Sequence, residues 1–366
     1  MHCASLGEFE QGRPLLQNLK RMYPGYRFVI SFFSPSGYEA IRKEETADIV
    51  VYLPMDSRSN AVKFIEAINP CLVFWVKYEY WFYYLSELKR RNIPVILVSG
   101  IFRKSQPFFK CYGSIWRSML GFFTHFFVQN ESSKELLEEL HFRDNVTVNG
   151  DTRFDRVMAV ANDFTPIPFI DSFCGNNRVI VAGSTWEEDE IELNHYVHNH
   201  PEIKFIIAPH EIDTGNMQRV MRNFPGAITY SDLLNPAFVL AGDMHILIIN
   251  NIGMLSRLYH YASIAYVGGG FGTDGVHNVL EAAVYGKPVI FGPEYDKYAE
   301  AIGLVESGGG ISFLLPLLLE KIIDQLLIDD LLLKKTGEAS RNFVFAQGGA
   351  TAGITGFIQE NRLLTS

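Results

Sequence analysis

Short apolar runs recur along the first half of the chain, separated by longer stretches of mixed polarity. The runs cover residues 28–31, 49–53, 72–75 and 95–98. Apolar runs of this length are typical of strands that are buried on both faces, and the stretches between them are long enough for helices. The alternation therefore predicts a parallel sheet with helices on both sides.

The second half repeats this arrangement after an irregular stretch that contains Pro166 and Pro168. The fold class that we expect is α/β, with two doubly wound Rossmann-like domains facing across a cleft. The domains would be residues 1–160 and 178–366, joined by a linker at 161–177, with the last helix a candidate to return to the first domain. The apolar runs of the second half are residues 179–182, 205–208, 227–229, 246–249, 264–267 and 289–291.

The composition narrows the class of protein. A chain of 366 residues with 48% hydrophobic and 20% charged residues fits two globular domains. We expect no membrane span and no signal peptide, because no apolar run reaches eighteen residues and the first eight residues lack a basic start and an apolar core. The four cysteines are scattered, which is typical of a reduced compartment such as the cytosol.

The charge is unevenly distributed. The net charge is −9, yet residues 1–160 hold 20 basic and 17 acidic residues, a balance of +3. A mildly basic half in an acidic protein favours contact with something anionic, although most individual charges are simply solvated.

The segment from Gly268 to Glu281 carries the strongest functional signal. A strand at 264–267 is followed by glycines and then by a predicted helix that opens over Asn278, Val279, Leu280 and Glu281. Free N–H groups at such a helix start suit an anion, and the Glu281 carboxylate can accept hydrogen bonds from a ribose diol. A glycine-rich loop is weak evidence alone, but the carboxylate at this offset favours a nucleotide-sugar site.

Other strand ends of the second half offer groups for the same ligand. Ser184 and Thr185 are predicted to follow a strand and open a helix, where their hydroxyls would suit an oxyanion or merely cap the helix. His210 could donate to a phosphate or be a bystander. Backbone groups near residues 252–254 are free to contact a base. The candidate residues for this ligand are Ser184, Thr185, His210, Ile252, Gly253, Met254, Asn278, Val279, Leu280 and Glu281.

Three charged residues of the first half lie at predicted strand ends. Glu8 follows a short first strand and could take a proton from a hydroxyl group. Alternatively, it could lie at the helix start simply because the helix dipole stabilises a carboxylate there. Glu79 lies among aromatic residues, where pairing with Lys77 is the structural alternative. Arg153 could hold a phosphate or carboxylate, or form an ion pair with Asp151 or Asp155.

The sequence offers little support for a metal site or for a common cofactor site. His195, His198 and His200 are close in sequence, but no carboxylate completes a familiar ligand spacing. The motifs of P-loop proteins, serine hydrolases and dinucleotide-binding proteins do not occur at any predicted strand-to-helix turn. We therefore expect neither a metal nor a cofactor.

Taken in order, these loops resemble the Kdo (3-deoxy-D-manno-octulosonic acid) transferases of lipopolysaccharide assembly, which have the GT-B glycosyltransferase fold. The resemblance extends through nearly the whole chain. It depends on the segments His2 to Glu8, Ser34 to Glu39, Tyr52 to Asp56, Glu79 to Trp81, Gly150 to Asp155, Ala182 to Thr185, Pro209 with His210, and Gly275 to Glu281.

The resemblance implies an inverting, metal-independent transfer of Kdo from CMP-Kdo to a lipid A precursor. In that family the residue matching Glu8 is the general base, and the residues matching Glu79 and Arg153 stabilise the transition state. The resemblance also places the cytidine monophosphate against Ala208 and Pro209, residues 252–254 and the helix start at 278–281, so that Ala208 and Pro209 join the candidate donor-binding residues. The resemblance also implies a peripheral protein on the cytoplasmic face of the bacterial inner membrane, with no nucleic-acid partner. Compared with the family, the first strand and a membrane anchor are expected to be truncated.

A further segment of the first half mixes basic and aromatic residues, as membrane-surface segments do. Arg103, Lys104, Lys110 and Arg117 would contact the anionic lipid.

Two alternatives to Kdo transfer remain open at this point. One is a UDP-sugar transferase or nucleotide-sugar 2-epimerase of the same fold, and the other is an inactive nucleotide-sugar-binding remnant.

Overall fold

The protein, described by a computed structural model over residues 1–44, 46–77 and 79–365, divides into two compact units. Unit 1 comprises residues 1–156 together with 347–366, and unit 2 comprises residues 157–346. The stretch expected to be a linker, 161–177, contains the end of one helix and the whole of another.

Unit 1 contains a seven-stranded parallel sheet, as the alternating pattern predicts. Its strand order is β3-β2-β1-β4-β5-β6-β7, so the order reverses between β1 and β4. Ligands of doubly wound sheets bind where the order reverses, at the carboxyl ends of the strands. The strands are β1 His2–Cys3, β2 Val29–Phe32, β3 Ile49–Tyr52, β4 Val73–Val76, β5 Val95–Gly100, β6 His125–Val128 and β7 Val146–Val148.

Helices cover both faces of this sheet and bury two apolar clusters against it. One cluster centres on Trp75, Leu97 and Phe126, and the other on Phe9, Ile96 and Phe127. Because Leu97 and Ile96 are neighbours on one strand, they face opposite sides of the sheet. The helices are α1 Leu6–Met22, α2 Pro35–Ile41, α3 Arg58–Ile68, α4 Phe82–Arg90, α5 Ser114–Leu120, α6 Glu131–Glu139 and α7 Thr152–Asn162.

Unit 2 contains a second seven-stranded parallel sheet, of order β10-β11-β9-β8-β12-β13-β14. Here the order reverses between β8 and β12. The strands are β8 Val179–Thr185, β9 Lys204–Pro209, β10 Ile228–Thr229, β11 Ile246–Ile248, β12 Ile264–Val267, β13 Val289–Phe291 and β14 Gly310–Ser312. The helices are α8 Ile170–Cys174, α9 Glu187–Asn199, α10 Thr214–Asn223, α11 Tyr230–Leu233, α12 Leu255–Leu258, α13 Leu280–Ala283, α14 Ala299–Glu306, α15 Pro316–Ile328 and α16 Asp330–Ala346.

The last helix, α17 (Ala350–Glu360), packs within unit 1. Ile354 and Ile358 are fully buried in the cluster around Phe9. The Asp155 carboxylate of α7 accepts hydrogen bonds from the backbone N–H groups of Gly349 (2.7 Å) and Thr351 (2.5 Å), and it therefore caps the start of α17.

Within the described ranges, every helix is too short or too polar to cross a lipid bilayer.

Candidate functional site

Glu8 lies where the strand order of unit 1 reverses. It occupies the third position of α1, whose N-cap is Ser5. Its Oε2 atom accepts hydrogen bonds from the backbone N–H groups of Ala4 (2.5 Å) and Ser5 (3.2 Å). The reciprocal arrangement is a capping box, so the structural alternative for Glu8 is present in the molecule. Both bonds use Oε2, which leaves Oε1 for another partner.

The surroundings of Glu8 make its carboxyl group a stronger base than an ordinary glutamate. Burial raises the pKa of Glu8 most, while the N–H groups of Ala4 and Ser5 lower it. The charge of Glu79 raises this pKa further, and the charge of Lys77 lowers it. These influences place Glu8 in one electrostatic cluster with two residues that follow β4.

Glu79 is held by the indole groups of two tryptophans. Trp81 donates from Nε1 to Glu79 Oε2 at 2.7 Å, and Trp75 donates from Nε1 to the Glu79 carbonyl oxygen at 2.5 Å. Lys77 is buried and adopts a φ of 62°, a left-handed conformation that is rare for residues other than glycine. Such local strain is often found at functional sites.

Arg153 lies in the first turn of α7 and is fixed by its neighbours. Its Nε donates to Asp151 Oδ2 at 2.8 Å, so the ion pair with Asp151 that the sequence allowed is formed. Asp155 instead caps α17. Ser99, at a bulge in β5, accepts a hydrogen bond from the Thr152 N–H and thereby holds the start of α7 in place.

In unit 2 the structure brings six of the predicted donor-binding residues together around one cavity of about 530 Å³. The cavity lies at the carboxyl ends of β8, β9 and β11. An exposed apolar side chain, Ile252, is among its walls, with 86% of its surface accessible. The six residues are Ser184, Ala208, Pro209, His210, Ile252 and Gly253.

The predicted position of Ser184 and Thr185 after the strand is wrong, because both residues belong to β8. The register with β9 slips between Gly183 and Thr185, and Ser184 has a φ of 53°. This bulge makes Ser184 line the cavity, whereas Thr185 is buried and donates to Glu190 at 3.3 Å. Thr185 therefore has no exposed hydroxyl to offer an oxyanion. Helix α9 begins only at Glu187.

The helix expected to open at Asn278 begins two residues later, at Leu280, and has a single turn. Asn278 Oδ1 accepts from the Leu280 N–H at 3.2 Å, and Asn278 Nδ2 donates to Glu281 Oε1 at 3.1 Å. The side chains of Val279 and Leu280 are fully buried, and that of Met254 is 5% exposed. The N–H of Leu280 is thus occupied, and Glu281 is oriented by Asn278.

The basic segment of unit 1 divides into two parts. Arg103 and Lys104 are exposed and Lys110 is half-buried. Arg117 instead donates from Nη1 to the carbonyl oxygens of Phe108 (3.2 Å) and Lys110 (2.8 Å), so it stabilises the segment itself. Beside these bases three large apolar side chains are exposed, namely Tyr112, Ile115 and Trp116.

The three histidines tested for metal binding have separate partners. His195 contacts Glu320, His198 contacts the Asn194 carbonyl oxygen, and His200 contacts Glu202. The described part of the chain contains no cluster of three or more potential ligands of the His, Cys, Asp or Glu type.

Residues 1–156 match the family of 3-deoxy-D-manno-octulosonic-acid transferases (kdotransferases). This match covers the segment that holds Glu8, Glu79 and Arg153. Over this segment the chain is similar to the Kdo transferases.

Curated proteins extend the likeness beyond unit 1. A bifunctional glycosyltransferase/methyltransferase of Fusobacterium nucleatum is 30% identical over 302 residues, which are 80% of this chain and 46% of that protein. The chain thus spans about half the length of this relative. A 3-deoxy-D-manno-octulosonic acid transferase of Aquifex aeolicus is 27% identical over 322 residues, 84% of this chain and 80% of that protein.

Solved structures confirm the expected GT-B fold. UDP-GlcNAc 2-epimerase from Neisseria meningitidis, bound to UDP-GlcNAc, superimposes with a TM-score of 0.69 over 98% of both chains, at 15% identity. At this identity the likeness shows the fold alone.

Two residues beside the cavity of unit 2 were missed in the sequence. Trp186 and His277 stack with His210, with ring centroids 4.5 Å apart for both neighbouring pairs. Trp186 follows β8, His210 follows β9 and His277 follows β12, so three adjacent strands present one ring each. His277 lies inside the glycine-rich segment, which was a signal that could have found it; Trp186 offered none.

Proposed function

We propose that this protein transfers Kdo from CMP-Kdo to a hydroxyl group of a lipid A precursor during lipopolysaccharide assembly. The observation that carries the proposal is the match of residues 1–156 to the Kdo transferase family, within which Glu8, Glu79 and Arg153 occupy the positions discussed above. Unit 1 would bind the acceptor and unit 2 the nucleotide sugar. The reaction would be inverting and would need neither a metal nor a cofactor.

In this proposal Glu8 is the general base. Its Oε1 accepts the proton of the acceptor hydroxyl, whose oxygen forms a bond to the anomeric carbon of Kdo. The bond between that carbon and the phosphate oxygen breaks, and CMP leaves with the electron pair from the opposite face. The raised pKa of Glu8 supports this assignment, because a stronger base gains more from the proton transfer.

Glu79 and Arg153 would support charge changes in the transition state. Both side chains are held by fixed partners, Trp81 and Asp151 respectively. Groups that are preorganised in this way stabilise developing charge without a cost of reorganisation at the moment of reaction.

The cavity of unit 2 would receive the cytidine nucleotide. Exposed Ile252 offers an apolar surface for the base, and Glu281, oriented by Asn278, can accept from the ribose hydroxyls. Ser184 and His210 at the carboxyl ends of β8 and β9 line this cavity with groups that can donate to the phosphate. Val279, Leu280, Met254 and Thr185 would contribute through packing, since their side chains are buried.

The acceptor is a lipid, and the segment around α5 would bring the protein to it. Lys104 and Lys110, together with exposed Tyr112, Ile115 and Trp116, combine charge for anionic headgroups with apolar groups for the interface. The protein would then act as a peripheral protein on the cytoplasmic face of the inner membrane.

The identity of the nucleotide tests the proposal. The purified protein should be stabilised against heat by CMP and not by UDP, and it should release CMP from CMP-Kdo only when a lipid A precursor is added. Stabilisation by UDP alone would contradict the proposal and favour a UDP-sugar transferase or epimerase. Stabilisation by CMP without turnover would favour an inactive remnant.

A further inference from the structure

We propose that His277 donates a hydrogen bond from Nδ1 to the phosphate of the bound nucleotide, and that the Trp186 indole fixes the histidine tautomer that makes this possible. The proposal rests on the proposed function only in naming CMP as the ligand. His277 would be a binding residue and Trp186 a positioning residue.

The tautomer of His277 follows from its contact with Trp186. Trp186 Nε1 lies 2.9 Å from His277 Nε2. An indole N–H can only donate, so Nε2 must be the acceptor and cannot carry a proton. A neutral imidazole with an unprotonated Nε2 carries its proton on Nδ1. His277 therefore has one donor, at Nδ1.

The surroundings keep the ring neutral. The pKa of His277 is lowered to about 4, mainly by burial and secondly by the nearby His210, against an opposing effect of Asp274. Asp189 of α9 is also close by, because it accepts a hydrogen bond from the Gly269 N–H at 2.9 Å. The contact with Trp186 also favours the neutral ring. In a protonated ring Nε2 would carry a hydrogen, which would point at the N–H of the indole.

The ring is fixed in position by its backbone neighbours. The His277 N–H donates to the Gly268 carbonyl oxygen at 3.0 Å. Gly269 has a φ of 90°, and a Cβ atom there would lie 2.8 Å from His277 Cδ2. Only glycine fits beneath the ring, which therefore lies directly on the glycine-rich loop.

Asp189 holds both sides of this arrangement. Its carboxylate accepts from the backbone N–H groups of Trp186 and Gly269, each at 2.9 Å, and from the Tyr266 hydroxyl at 2.8 Å. The carboxylate thus ties the end of β8 to the loop after β12. These bonds therefore couple the backbone at Trp186 to the loop that carries His277.

His277 lies where a nucleotide phosphate is expected. It lies on the loop after β12, beside the point where the strand order of unit 2 reverses. Throughout residues 1–44, 46–77 and 79–365, no protein acceptor contacts Nδ1. His277 stacks on His210, a residue that lines the cavity. A donor at this location can serve a phosphate oxygen, and a charge-assisted bond of this kind is among the stronger ones.

Two matched substitutions test the contact. In His277→Asn the amide nitrogen can take the place of Nδ1, whereas in His277→Gln the amide lies at the level of Nε2. We expect His277→Gln to weaken CMP binding about tenfold, the range for a hydrogen bond to a charged group, without changing cytidine binding. His277→Asn should stay close to wild type. Calorimetry with CMP and cytidine measures both, and His198→Gln on the exposed face of α9 is the control.

The tautomer is tested without any ligand. Protein labelled with ¹⁵N-histidine should show His277 protonated on Nδ1 in the wild type and on Nε2 in Trp186→Phe, which keeps a ring but removes the donor. A loss in His277→Gln that is equal for CMP and cytidine, or an Nε2–H tautomer in the wild type, would overturn the proposal. Wild-type protein that binds CMP normally but never turns over CMP-Kdo would contradict the proposed function alone.

Discussion

At the residue scale, the role shown for Glu8 and the role proposed for it use different atoms. Oε2 completes the capping box of α1 through Ala4 and Ser5, while Oε1 is the atom that we assign to the acceptor proton. A base that is also a helix cap is held in one rotamer by the cap, so that its position costs no further ordering when the acceptor binds.

The electrostatic cluster around Glu8 predicts a shift in the pH dependence of Glu79→Gln. Glu8 acts as a base only when deprotonated, so activity falls as the pH falls through its pKa. The charge of Glu79 raises that pKa. Removing this charge should move the acidic limb of kcat/KM to lower pH, besides lowering the rate.

The pH profile of kcat/KM from 4 to 9 measures this shift, and Glu66→Gln on the exposed side of α3 is the control. An acidic limb that stays in place or moves to higher pH would mean that the two carboxylates do not interact.

At the residue scale, the sequence pointed to candidate residues more readily than to the contacts that surround them. Glu8, Glu79 and Arg153 could be singled out because they follow predicted strands. The turn of Thr185 away from the cavity could not be foreseen, because it depends on a left-handed Ser184, and serine carries no signal for that conformation. The contact of Trp186 with His277 joins residues 91 positions apart and exists only because β8 and β12 are neighbours.

At the scale of elements, the strands were predictable and the helix boundaries less so. Apolar runs such as 264–267 coincide with strands because a parallel sheet is buried on both faces. Helix α13 starts two residues later than expected because the Asn278 side chain accepts from the Leu280 N–H, a local competition that the apolar pattern does not report.

The cap of α17 predicts a specific loss of stability. Asp155→Ala removes the acceptor of the Gly349 and Thr351 N–H groups, and it should lower the free energy of unfolding of unit 1 by about 1–2 kcal/mol. Urea unfolding followed by fluorescence measures the change, with Asp163→Ala, an exposed aspartate eight residues further along the chain, as the control. Equal stability of Asp155→Ala and wild type would show that α17 does not depend on this cap.

At the scale of the whole molecule, the net charge of −9 makes attraction to an anionic membrane a local property. In the proposed function, the basic and aromatic residues around α5 provide this attraction. Reversing Lys104 and Lys110 to glutamate should reduce binding to phosphatidylglycerol vesicles about tenfold or more, since each basic residue near such a surface contributes on the order of 1 kcal/mol.

Vesicle co-sedimentation at low and high salt measures this change. The matched control is Lys63→Glu with Lys321→Glu, which alters the net charge equally at exposed positions elsewhere. If both pairs reduce binding to the same extent, net charge and not the α5 segment governs the attraction.

The most direct test of the account is the release of CMP from CMP-Kdo in the presence of a lipid A precursor, measured for wild type, Glu8→Gln and Glu66→Gln at equal protein stability. We predict that wild type and Glu66→Gln turn over at similar rates, and that Glu8→Gln, which keeps an oxygen for the helix cap but has no basic carboxylate, loses at least about two orders of magnitude. Equal rates for Glu8→Gln and wild type would contradict the assignment of Glu8 as the base.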